Sequence, residues 1–184
     1  MYKNIIITFF VIVFIVAGIA LFVDGNSTPP VVAPVTLIPS SKASMVPYSN
    51  IEYGISFEYP SNLYLSEKEM SSSSPQFSVA LVESSSDAEA SPVSIFVDVY
   101  MNKGDLSAKD WISKETNWTT PGQSIKDVEV RGLTGVIYEY DGLYPGKAYV
   151  FTSKGRTYVL SVNWLSLDDQ LIKDFDMIIN SLSI

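Results

Sequence analysis

The chain has 184 residues, with 12 Lys and Arg against 20 Asp and Glu, and neither His nor Cys. A formal charge of −8, with its basic residues scattered singly among carboxylates, argues against a phosphate backbone as partner, because such binding needs clustered cations. Without His or Cys there is no Ser/His/Asp or Cys/His catalysis, no zinc-type metal site, no disulfide framework and no lipidated cysteine.

The first element is the run from Ile5 to Val23, nineteen residues without a charge. As a helix it spans about 28 Å, close to the hydrocarbon core of a bilayer. Lys3 before it and Asp24 after it place residues 1–4 in the cytoplasm and everything beyond Asp24 outside, by the positive-inside bias. The competing reading is a cleaved secretory signal, for which Gly18-Ile19-Ala20 is the fitting cleavage triplet. That triplet lies inside the apolar run, which favours an uncleaved, single-pass anchor whose partner is the lipid bilayer. Both readings export the rest of the chain.

Residues 24–47 contain Pro29, Pro30, Pro34, Pro39 and Pro47 among Ser, Thr, Val and Ala. This composition reads as an extended linker that reaches at most about 75 Å. An ordered arm packed through Val31, Val32, Val35, Leu37 and Ile38 is the alternative. Residues 48–184 are long enough for one domain with its own core.

Within that domain, alternation marks strands at Ile55, Phe57 and Tyr59, at Phe77, Val79 and Leu81, and at Ile95, Val97, Val99 and Met101. Further sets are Val136, Tyr138 and Tyr140, then Tyr149 and Phe151, then Tyr158, Leu160, Val162 and Trp164. Asp141-Gly142 with Pro145-Gly146, and Lys154-Gly155, supply hairpin turns too short for helical crossovers, so the sheet is expected to be antiparallel. Ser71 to Ser74 and Ser84 to Ser91 read as polar loops. In LSAKDWISKET, Ser107 is placed to cap the amide of Asp110 and Leu106 to staple against Trp111. The closing segment puts Leu167, Leu171, Phe175, Ile178, Ile179 and Leu182 at helical spacing, with Asp168 and Asp169 at its start. The expectation is an α+β domain in which about six or seven antiparallel strands pack with two helices.

The string YGISFEYPSNL, Tyr53 to Leu63, followed by a short helix bearing Trp111 and the closing FDMIINSL from Phe175 to Leu182, resembles the PsbP-like family over Ile51 to Ile184. The chain departs from that family in having Leu63 and Tyr64 where many members place Trp. It also lacks the basic and histidine residues of the photosystem segments. The resemblance therefore implies the fold, a PsbP-like sandwich used for binding or assembly, and no photosynthetic role.

For chemistry, paired carboxylates remain. Glu58 and Glu139 are the candidates for a cell-envelope enzyme such as a glycan hydrolase, set against the reading of two solvated outer-face residues. Asp168, Asp169, Asp174 and Asp176 read as the polar side of a helix rather than a metal site, and no cofactor is expected. Asn26 and Asn117 open glycosylation triplets. The apolar run lacks a small-x-x-x-small face for self-assembly. Tyr138, Tyr140, Tyr144 and Tyr149, with Phe96 and Tyr100, are the candidate partner-binding residues, because tyrosine offers an apolar body with a hydroxyl tip suited to an envelope protein or a glycan. The leading expectation is a non-catalytic, membrane-anchored, extracytoplasmic binding or assembly domain.

Overall fold

The computed structural model describes residues 43–69, 75–83, 93–114 and 124–184. The chain divides into two units, Met1–Ser40 and Ser41–Ile184. The expected cytoplasmic end, the apolar run, the linker up to residue 42, both polar loops and the two glycosylation triplets lie outside the described residues. Among those described, no helix is long and apolar enough to cross a membrane.

Nine strands and two helices follow in the order β1 (Met45–Asn50), β2 (Ile55–Pro60), β3 (Tyr64–Glu69), β4 (Phe77–Val82), β5 (Ile95–Met101), α1 (Ala108–Lys114), β6 (Lys126–Val130), β7 (Leu133–Tyr140), β8 (Gly146–Ser153), β9 (Arg156–Asn163) and α2 (Gln170–Ser181). Strands β3 to β9 form one antiparallel sheet in the order β3-β4-β5-β9-β8-β7-β6, and β1 and β2 form a separate hairpin. The expected count of six or seven strands thus matches the large sheet alone. The first strand takes Met45 to Pro47 from the stretch read as linker, pairing Met45 with Pro60 and Asn50 with Ile55.

Two layers cover the sheet. On one face, α2 and the β1–β2 hairpin bury Ile55, Phe57, Leu171, Phe175 and Ile178 against Val79, Val97, Leu160 and Val162. Burial of each such side chain favours the fold by about 1.5–3 kcal/mol. On the other, α1 seals a smaller cluster of Trp111 and Ile112 against Val136, Val150 and Val159. Being central and covered on both faces, β9 has every residue from Thr157 to Val162 buried. The two outer strands, β3 and β6, present exposed Glu67, Lys68 and Glu69, and Lys126, Asp127 and Glu129, charges that discourage pairing with a further strand.

Local signals explain the joints. Lys154 and Gly155 both have positive φ, as do Arg131 and Gly132, which is the two-residue turn that matches strand twist. The amide of Asp110 donates to Ser107 Oγ at 3.1 Å, as the sequence reading of the cap expects. The closing helix begins later than its apolar spacing suggests. Asp169 caps it by accepting from the amide of Leu171 at 3.0 Å, and Leu167 lies in the preceding loop, 83 % exposed. Met101, read as the last inward residue of its strand, is likewise exposed, since it stands at the sheet's end opposite Arg156.

Candidate functional site: a half-covered sheet face

Strand alternation directs Phe96, Asp98 and Tyr100 to the face of β5 opposite Ile95, Val97 and Val99. The register sets Phe96 beside Ser161 and Asp98 beside Val159, with Ala80 and Ser78 on β4 across from them. Farther across the sheet, Ser161 faces Ala148, and Ala148 faces Tyr138. Helix α1 packs over β7 and β8 at one side of this face. What remains is a strip of half-buried residues: Ser78, Phe96, Asp98, Tyr140 and Asn163, with Ser161 buried between them.

Asp98 gives the strip its electrostatic character. Its Oδ1 accepts from Ser78 Oγ at 2.6 Å. Burial pushes the carboxyl up to about 6, against a smaller pull downward from the Ser78 hydrogen bond. Among the described residues no lysine or arginine pairs with it. A carboxylate held out of water without a cation is ready to accept a donor supplied from outside.

Tyr140 forms the other end. Its ring crosses β8 directly over Gly146, where a Cβ would overlap the ring, and its hydroxyl donates to Asn163 Oδ1 on β9. Burial raises its pKa, with Ser161 pulling the other way. Glycine at position 146 is what lets one tyrosine span three strands.

The six aromatic residues singled out from sequence do not form one surface. Phe96 and Tyr140 share the strip. Tyr138 and Tyr100 face the same way but are buried under α1, Tyr100 lying 5.0 Å centroid to centroid from Trp111. Tyr149 is on the opposite face, against Phe151 at 6.2 Å and Phe175 at 5.9 Å. Tyr144 is half-buried in the loop between β7 and β8. Their division follows from register: Tyr138 pairs with Ala148, so Tyr149 must point the other way. The residue that sequence reasoning passed over is Asp98, a lone charge between apolar neighbours in IFVDVYM.

The carboxylates considered for catalysis are not brought together. Glu58 is exposed on β2, its amide accepted by Ser181 Oγ at 2.8 Å, and the 460 Å³ cleft it lines does not include Glu139. Glu139 is exposed on β7 opposite Lys147. Of the aspartates near the closing helix, Asp169 is a cap, Asp174 accepts from Gln170 at 2.8 Å and Asp176 pairs with Lys147 at 2.6 Å. Among the described residues no group of three carboxylates is placed to hold a metal ion.

Comparison with known proteins gives one family, described as PsbP-like protein, matching residues 5–184, a range that takes in the apolar run. Among solved structures, the solution structure of cyanobacterial PsbP (CyanoP) from Synechocystis sp. PCC 6803 is similar at 18 % identity, covering 79 % of this chain and 95 % of that one, with a TM-score of 0.52. A crystal structure from Bacteroides thetaiotaomicron VPI-5482 is similar at 10 % identity over 78 % of this chain and 48 % of that one, with a TM-score of 0.46. No curated protein sequence matches.

Proposed function

The chain belongs to the PsbP-like protein family, and from that premise we propose that it is a membrane-anchored, extracytoplasmic domain that binds a partner for assembly and carries out no catalysis. The observation that carries this reading is the strip on the α1 side of the sheet. There an aromatic ring, Phe96, stands beside a carboxylate, Asp98, that no lysine or arginine among the described residues pairs with, and hydroxyl and amide groups stand at Ser78, Tyr140 and Asn163. Such a surface supplies apolar contact area and fixed acceptors and donors, the materials of recognition. The Ser78 hydroxyl does meet the Asp98 carboxylate, but among the described residues no third group bonds to Asp98 to aim the pair as a catalytic base, and Glu58 and Glu139 do not line one cleft. The uncharged run Ile5 to Val23 and the proline-rich stretch after it support the anchor and its spacer.

The partner in this reading is an envelope protein or glycan that places a hydrogen-bond donor or cation against Asp98. Photocrosslinking in intact membranes tests it. A crosslinker replacing Phe96 should yield a discrete adduct, and one replacing Tyr149, on the opposite face, should not. Substituting Asp98 with Ala should abolish the Phe96 adduct. Equal adducts from both faces, or none from Phe96 while other positions react, would refute the assignment of this face.

A further inference from the structure

Four of the exposed large apolar side chains gather at one end of the sheet. Leu143 is 90 % exposed in the β7–β8 loop, Leu165 and Leu167 are 70 % and 83 % exposed between β9 and α2, and Tyr64 is 52 % exposed at the start of β3. They share this end because β7 and β9 finish there and β3 and β8 begin there, as the pairings Tyr140 to Gly146, Gly146 to Asn163, Val162 to Ile95, Ile95 to Leu81 and Val82 to Tyr64 require. The two leucine-bearing loops are tied together, the amide of Trp164 donating to the carbonyl of Pro145 at 3.1 Å. At about 4.8 Å per strand, the rim from β3 to β7 is about 24 Å long.

The chain joins the domain at this same end. The amide of Ser61 donates to the carbonyl of Ser44 at 2.8 Å, and the hydroxyls of Ser44 and Ser61 are 3.1 Å apart. Ser61 lies in the short link from β2 to Tyr64, so the first described residues enter beside the apolar rim. The β1–β2 turn is at the far end, where the Tyr158 hydroxyl donates to the carbonyl of Tyr53 at 2.9 Å. Entry of the chain at this end lets a domain tethered through its amino-terminal side turn this rim toward the lipid.

We infer that Tyr64, Leu143, Leu165 and Leu167 form a membrane-docking rim that seats the domain on the bilayer surface carrying its own anchor. The inference rests on the reading of Ile5 to Val23 as that anchor. Leucine side chains and a tyrosine are suited to the headgroup boundary, where an apolar body and a polar tip are both accommodated. Because the tether holds the rim at high effective concentration over lipid, weak contacts suffice to keep it seated. Exposed Glu83, just past the end of β4, lies between Tyr64 and the leucines, and exposed Asp141 and Asp168 stand beside Leu143 and Leu167, so the matching surface is zwitterionic, and anionic headgroups repel it. Docked in this way, the domain stands with its strands steep to the membrane and the Asp98 strip facing sideways, open to a partner in the same membrane.

The absence of cysteine allows a single fluorophore to be placed at Leu165→Cys or, at the opposite end, at Lys154→Cys. The full chain is reconstituted into phosphatidylcholine vesicles with and without lipids carrying a nitroxide at the headgroup, and vesicle flotation is scored alongside. The expected result is flotation of both, with quenching about threefold stronger at position 165 than at 154, as befits a shallow interfacial depth. Adding Leu143→Ser and Leu167→Ser, both at exposed positions, should bring the quenching at 165 down to the level at 154. Mixing in anionic lipid should weaken it, and salt should restore it. Flotation with equal, weak quenching at both positions overturns the rim and leaves the anchor standing. A probe at 165 that is shielded from water but not quenched by the lipid nitroxide also overturns it, in favour of a protein covering this end. If the chain does not float, the anchor reading fails and the rim falls with it.

Discussion

Replacing Asp98 with Asn gives the sharpest test of the electrostatics of the strip. The Asp98 carboxyl is raised from 3.8 to about 6 by burial, so the folded chain holds this proton more tightly than the unfolded chain does. Between pH 4 and pH 6 the folded state binds more protons, and stability falls as pH rises through that window. Below it the contribution is fully present, and above it the loss is complete. A shift of about two pH units corresponds to about 3 kcal/mol as an upper limit, at 1.36 kcal/mol per unit. Asn is neutral and nearly isosteric, and its Oδ1 can still accept from Ser78. The variant should therefore match the parent near pH 4 and exceed it by up to about 3 kcal/mol at pH 8, a rise of about 1–2 M in urea midpoint. Denaturation followed by fluorescence of Trp111 and Trp164, both buried, reads the difference at each pH. A variant-minus-parent difference that does not change with pH, or one that turns destabilising at pH 8, would refute the argument that Asp98 is ionised at a cost. A positive result with loss of the Phe96 adduct would show stability given up for recognition at this site.

Other expectations follow from the same face. Gly146→Ala drives the Tyr140 ring off β8 and breaks its bond to Asn163, so a loss of about 2–4 kcal/mol is expected in the same unfolding assay. Tyr140→Phe alone, which keeps the ring, should cost only about 1 kcal/mol, and equal losses in the two variants would rule out the overlap as the cause. Among the described residues the buried Thr157 hydroxyl has no hydrogen-bond partner, so Thr157→Val should stabilise by about 1 kcal/mol, and a loss would mean that the hydroxyl is satisfied.

The fold was legible wherever one face of a strand is buried and the other is not. Phe77, Val79 and Leu81 on β4 and Ile95, Val97 and Val99 on β5 show their alternation plainly, and all six are buried. Strands β1, β3 and β6 escaped notice because pairing, rather than burial, makes them strands. In YLSEKE of β3 only Leu65 is partly buried, and KDVEV of β6 is an edge of the same kind. The helix was placed one turn early because Leu167 keeps the apolar period, while Asp169 fixes the start from outside that pattern. The candidate site was half legible. The aromatic residues were visible, yet whether Tyr138 and Tyr149 share a face depends on register, which local sequence does not specify. Nothing in the sequence sets Asp98 apart from an ordinary outward polar residue; burial on both sides of β9, a property of the whole sheet, is what turns its neighbourhood into a low-dielectric one.

The functional reading depends on a stem embedded in lipid that carries the β-rich domain outside the cytoplasm. Fractionation of intact cells with protease added from outside tests this most directly. The account predicts that the full chain stays with membranes through alkaline extraction and that its domain is cut away by the external protease. Full-length chain in the soluble cytosolic fraction, or a domain protected until the cells are lysed, would contradict it.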